Sequence, residues 1–279
     1  MITERRVRFH ATTVLVYLVL IVAAIAMLVP FLWMLGTAFK SSSQVDAIPI
    51  IWIPWPLHFG NFVSAWTSVP FGRFFVNTLF VSVVSSVGQI ITSIMAGYAF
   101  ARMRFRGKQV LFLLTLSTLM IPFQVILIPT FLIIKYLGLV NSLWALILPN
   151  LATGFGVFLL RQFFLQIPTE LEEAATIDGA SRWRIMAQIM VPLARPAVAT
   201  LALFTFLWSW NSYLWPLIVL SSPTKMTIQV GLSYFQGAHI GEYNIIMAGS
   251  FISLVPIIIL FFLTQRQLVE GIVAGAVKG

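Results

Sequence analysis

The 279-residue chain contains no cysteine, only three histidines (His10, His58 and His239) and only 9% charged residues. Each scarcity excludes a class. Without cysteine there is no disulfide scaffold, no thiolate metal site and no thiol nucleophile. The histidines stand too far apart in sequence to read as a zincin-type pair. A soluble domain carries about 25% charged residues, and 17 Lys and Arg with 8 Asp and Glu are too few to cover such a chain with a water-facing surface. No phosphate-binding loop is present either: the only Gly-Lys, Gly107–Lys108, is followed by Gln109, so the chain binds no ATP through a P-loop of its own. The apolar runs hold no paired carboxylates, metal cluster or nucleophile–base arrangement, which argues against a membrane-embedded enzyme.

What the chain has is length without charge. Hydrophobic residues make up 59% of it, and six runs read as membrane spans, about 12–39, 74–101, 109–134, 142–164, 196–220 and 243–265. A helix needs ~20 apolar residues to cross ~30 Å of hydrocarbon, and all six runs reach that length. The expected fold class is an all-α polytopic membrane protein with six transmembrane helices, one domain over 1–279. The first run is preceded by Arg5, Arg6 and Arg8 and contains Ala24 and Ala26, the build of a leader peptide. Its apolar stretch continues to Phe39, beyond the ~7–15 residues of a cleaved core, so it reads as a span. Counting Lys and Arg places 13 of the 17 on the side of the N-terminus, so both termini are expected to be cytoplasmic. The net charge of +9 is thereby a matter of topology, with no nucleic-acid partner required.

No Asp, Glu or Lys lies in the middle of a span. Ion-driven carriers and voltage sensors use such groups to carry the coupling charge. The polar inventory at depth is neutral (Asn77, Gln89, Gln124, Asn150 and Asn211), which suits a neutral or hydroxyl-rich solute. Ser82, Ser86, Ser93 and Gly97 recur at helical spacing and read as close packing or, alternatively, as a solute path. Pro122 and Pro129 are expected to kink the third span or mark its outer end. Trp208, Asn211 and Trp215 sit at i, i+3 and i+7, one helical stripe. Two readings stay open for it: an aromatic belt at headgroup level, or a substrate-pathway stripe that stacks sugar faces on indoles while Asn bonds hydroxyls.

The longest inner segment, 166–195, has its own design. Thr169 and Glu172 have capping-box spacing, Pro168 blocks helix upstream, and Leu171, Ala174, Ala175 and Asp178 are expected on one face. Gly179 is placed to end that helix in the left-handed conformation. Ser181 can cap a second helix, about Arg182–Val191, that stops at Pro192. Small alanines flanked by Glu172, Glu173 and Asp178, beside Arg182 and Arg184, suit the approach of another protein.

Glu173-Ala174-Ala175, followed by Asp178-Gly179-Ala180, Pro192 and Pro196, resembles the EAA signature of ABC importer permeases. Trp210-Asn211-Ser212-Tyr213-Leu214-Trp215-Pro216-Leu217 resembles the fifth span of sugar-uptake permeases. Gln265-Arg266 with Gly275-Ala276-Val277-Lys278-Gly279 resembles the tail of the smaller permease subunit of maltose-type importers, and Asn77-Thr78 and Ile121-Pro122 match as well. The resemblance implies a type I ABC importer permease fold in the cytoplasmic (inner) membrane of a prokaryote. It implies a sugar or related polyhydroxy solute; the competing readings are a permease for another solute class such as glycerol-phosphate, or a stand-alone secondary carrier. It also implies a second permease subunit, two ATPase subunits that bind the ATP and magnesium, and an extracytoplasmic solute-binding protein. By the same resemblance, Glu173, Ala174, Ala175, Asp178 and Gly179 dock on an ATPase subunit and carry coupling, none of them catalytic. The outer loop 236–242 resembles one that reaches the binding protein, with His239 a solvated loop residue.

Overall fold

The computed structural model describes residues 11–276, with side chains for 13–265 except 238. Arg5, Arg6, Arg8 and the terminal Val277, Lys278 and Gly279 lie outside the described residues, as do the side chains of Arg266 and Ala276. Every regular element among the described residues is helical. The chain divides into two compact units.

One unit comprises the residues up to Val69 together with Phe235–Ile252. It holds α1 (Ala11–Ala38), α2 (Ser42–Val45) and α3 (Gly60–Thr67). α1 is apolar all round and exposed on every side from Thr13 to Leu32, the composition of a helix whose solvent is lipid. Just past it the chain is held by amides. Asn61 Nδ2 donates to the carbonyls of Ala38 and Lys40, both at 2.8 Å, and Asn244 Nδ2 donates to Asn61 Oδ1 at 3.1 Å. The Lys40 side chain is buried, its ammonium 4.0 Å from the centre of the Trp33 ring. Burial pushes its pKa below the usual lysine range.

The other unit runs from Pro70 to Tyr234 and resumes at Ser253. It begins with α4 (Phe71–Arg102), α5 (Lys108–Ser117), α6 (Phe123–Tyr136), α7 (Trp144–Ile147) and α8 (Gly154–Gln166). Then follow α9 (Glu170–Ile177), α10 (Arg182–Ile185), α11 (Val191–Leu193), α12 (Arg195–Trp210) and α13 (Leu214–Val219). α14 (Ile228–Ala238) and α15 (Tyr243–Ala276) each lie partly in both units.

The long α4 is the axis of this second unit, packed by α8 and α12. Ser82, Ser86, Ser93 and Gly97 are all buried along it. A Cβ on Gly97 would lie 3.1 Å from the Arg161 nitrogen, and one on Gly156 would lie 2.2 Å from Ser93 Oγ. The small residues therefore let two helix backbones approach closely, which supports the packing reading of that stripe. Asn77 Nδ2 donates to the Thr224 and Met226 carbonyls, each at 3.0 Å, and Thr78 Oγ1 accepts the Ile228 N–H at 2.7 Å. This pair anchors the 224–228 connection to α4.

Three of the six apolar runs are unbroken helices: Thr13–Ala38, Phe71–Arg102 and Tyr243–Gln265. The other three break. Lys108–Met120 and Phe123–Tyr136 meet at 104°, and Trp144–Asn150 meets Gly154–Gln166 at 42°. The third span breaks where Pro122 forces Ile121 to an extended ψ of 115°, whereas Pro129 sits inside α6 without ending it. The 196–220 run is not one helix: α12 stops at Trp210, and α13 starts at Leu214. Pro216 offers no N–H to the Ser212 carbonyl and its ring would clash with it, so a continuous helix through 211–216 is disfavoured.

Candidate functional site

The segment after α8 forms the helix–turn–helix its residues suggest. Ile167 precedes Pro168 and is extended, with ψ 130°, so α8 ends there. α9 closes on Gly179 at φ 78°. The Gly179 N–H bonds the Thr176 carbonyl at 3.0 Å and the Ala180 N–H bonds Ala175 at 2.9 Å, the pattern of a Schellman turn. No atom stands within 4 Å of a Cβ placed on Gly179, so its backbone angle alone demands glycine. Ser181 Oγ then accepts the Arg184 N–H at 3.3 Å and caps α10.

Three local expectations change. The capping box does not form: Thr169 makes no side-chain cap bond. Glu172 turns instead toward Arg102, with Oε1 2.7 Å from the guanidinium Nε. A charged partner in a half-buried setting outweighs a backbone N–H at the surface. The second helix does not stop at Pro192. It widens into a π turn over Met186–Met190, where the Val191 N–H reaches back to Met186, and continues through α11 to Leu193. The changed register absorbs the donor that proline lacks. Finally, Ala175 does not share a free face with Leu171, Ala174 and Asp178. It packs against a core of Tyr98, Leu160, Phe164, Ile185 and Met190, while the other three are exposed.

α9 thus has two faces. Glu172 and Ala175 turn to the bundle, and Glu173, Ala174, Asp178 and Gly179 face outward. Beside them Ile177 is 87% exposed and Trp183 is 65% exposed. Large apolar side chains grouped with charges on an exposed turn are the composition of a protein-docking patch.

The proposed stripe of Trp208, Asn211 and Trp215 is not one stripe, because the helix breaks between its members. Trp208 is 72% exposed on α12, whereas Trp215 on α13 is 4% exposed and donates its indole N–H to the Ala145 carbonyl at 3.0 Å. Trp215 is a core residue, packed with Val81, Ile134 and Leu146. Asn211 caps the end of α12, exposed, and its Oδ1 accepts from Gln229 Nε2 at 3.3 Å. Gln229 was not distinguished by sequence, since only folding brings it across from α14. Arg102 was counted only as a topological charge. Nothing in its neighbourhood along the chain announces a partner 70 residues away. Among the described residues, no three His, Asp or Glu side chains group to hold a metal ion.

Comparison with known proteins agrees with this architecture. Residues 88–272 match the family described as binding-protein-dependent transport system inner membrane component. The arabinooligosaccharides transport system permease protein AraQ of Halalkalibacterium halodurans is 38% identical over 253 residues, 90% of this chain and 91% of that one. The lactose transport system permease protein LacG of Rhizobium radiobacter is 34% identical, covering 94% of this chain and 95% of that one. A chain of a bacterial ABC transporter involved in the import of the acidic polysaccharide alginate superposes with a TM-score of 0.82. It is 25% identical, over 96% of this chain and 99% of that one.

Proposed function

The chain belongs to the family of binding-protein-dependent transport system inner membrane components, as a permease subunit of an ABC importer, and we propose that its cargo is a sugar or related polyhydroxy solute. Relatives named for arabinooligosaccharide and lactose transport support that cargo. So does the absence of Asp, Glu and Lys from the middle of the spans. It is a transport subunit rather than an enzyme. In this reading ATP is hydrolysed by two partner ATPase subunits, and a second permease and an extracytoplasmic binding protein complete the complex.

This assignment counts the bent pairs Lys108–Tyr136 and Trp144–Gln166 and the broken 196–220 run as one span each, giving six, with both termini cytoplasmic in an inner-membrane subunit. The Lys and Arg distribution supports it. Glu173, Ala174, Asp178 and Gly179 form the outer face of the coupling segment that docks on an ATPase subunit, and Ala175 seats it on the bundle. Trp208 and Asn211, the latter bonded to Gln229, line the solute pathway, whereas Trp215 supports it by packing. The observation that carries the coupling assignment is the α9 turn itself: small and acidic residues outward, with Ile177 and Trp183 left uncovered.

The test is Glu173→Lys in the complete reconstituted transporter. Glu173 is exposed, so the subunit should insert and bind the loaded binding protein normally. Solute uptake should fall at least about tenfold, as expected for reversing a charge that orients a docked partner. Uptake at the wild-type rate would remove α9 from the coupling role.

A further inference from the structure

One guanidinium ties the coupling helix to the ends of two bundle helices. Arg102 is the last residue of the 32-residue α4. Its Nε lies 2.7 Å from Glu172 Oε1, and the two side chains are 9% and 16% exposed. Its Nη2 donates to the Phe164 carbonyl at 2.7 Å and also to the Ile167 carbonyl. Tyr98, one turn earlier on α4, donates its hydroxyl to Glu172 Oε2 at 3.4 Å. A single side chain therefore joins the end of α4, the end of α8 and the first turn of α9.

Electrostatics favour each contact. The cation sits at the C-terminal ends of two helices, and Glu172 sits at the N-terminal end of a third, each on the side its charge prefers. The surroundings are apolar, with Phe164 and Tyr98 in the buried cluster and Ala175 packed on it. Removing one charge there leaves the other poorly solvated. α9 is bounded by the extended Ile167 and Pro168 before it and by the left-handed Gly179 after it. The rest of its inward attachment includes the Tyr98 hydroxyl on Glu172 and the packing of Ala175.

We propose that Arg102 and Glu172 are positioning residues that clamp the coupling helix to α4 and α8, so that force applied to α9 moves these helices. This inference rests on the coupling assignment of α9. Without the clamp, a docked partner would rock α9 while the bundle stayed behind. The clamp is distinct from the outward residues Glu173, Ala174 and Asp178, which face the partner.

The experiment measures solute transported per ATP hydrolysed in proteoliposomes holding the whole complex. Glu172→Gln keeps the shape and removes the charge. It should assemble with its partners at wild-type yield, hydrolyse ATP, and transport about tenfold less solute per ATP, a partly exposed pair being worth less than a fully buried one. The chain has no native cysteine, so Arg102→Cys with Glu172→Cys can be joined by a short thiol-to-thiol crosslinker, with partner subunits also made cysteine-free. Crosslinking should restore the ratio to within about twofold of wild type, whereas either single cysteine variant with the reagent should not recover. A purely structural role predicts reduced assembly with an unchanged ratio, and that result overturns the clamp. So does a crosslinked pair that stays uncoupled. Glu173→Lys separates the two readings. If it uncouples while Glu172→Gln keeps its ratio, the clamp alone is wrong; if it transports normally, the coupling assignment fails and the clamp with it.

Discussion

Two glycines of this chain are required for opposite reasons. Gly179 has open space around it and a φ of 78°, so a side chain there meets strain but no neighbour. Gly156 has ordinary backbone angles, but a Cβ would lie 2.2 Å from Ser93 Oγ. Gly179→Ala should cost about 1–2 kcal/mol of local turn stability, the left-handed penalty, and lower uptake without lowering the amount of assembled protein. Gly156→Ala should cost about 1–3 kcal/mol through overpacking and lower thermal stability in detergent. Ser93→Gly, by removing the Oγ and Cβ that the new methyl meets, should recover most of that loss. If Ser93→Gly leaves the Gly156→Ala defect unchanged, the close α4–α8 approach is not its cause.

At the scale of elements, the break between α12 and α13 assigns different work to Trp208 and Trp215, the two tryptophans of the expected stripe. Trp215→Ala removes a buried indole and its bond to Ala145, so it should lower the abundance of the subunit by destabilising it about 3–5 kcal/mol. Asn211→Ala leaves the exposed end of α12 without its bond from Gln229. Loss of one such polar contact with solute is worth ~0.5–1.5 kcal/mol, so uptake per assembled complex should fall about three- to tenfold. Measuring uptake and membrane abundance together separates these effects. Normal uptake per complex in both Asn211→Ala and Trp208→Ala would take this helix end out of the pathway.

For the molecule as a whole, the charge distribution makes a topological prediction. Ser221 and Ser181 are both exposed, and the chain supplies no background thiol. A cysteine at Ser221 should react with an impermeant maleimide added outside intact spheroplasts, and one at Ser181 only after the membrane is opened. The reversed pattern would overturn the positive-inside assignment.

The membrane class, the approximate extents of the apolar runs and the turn at Gly179 were all legible along the chain, because each depends on composition or on residues within one or two helical turns. Ser181 capping, the Pro168 boundary and the small-residue face of α4 belong to the same local class. What only the tertiary structure decided are the contacts between distant segments. Glu172 leaves Thr169 for Arg102, Ala175 turns inward, Trp215 enters the core beside Ala145, and Gln229 meets Asn211. Periodicity cannot foresee these outcomes. It assumes that a helix continues, and it is blind to partners about 20 to 70 residues away, whose charge and burial settle which of several locally acceptable bonds a side chain makes.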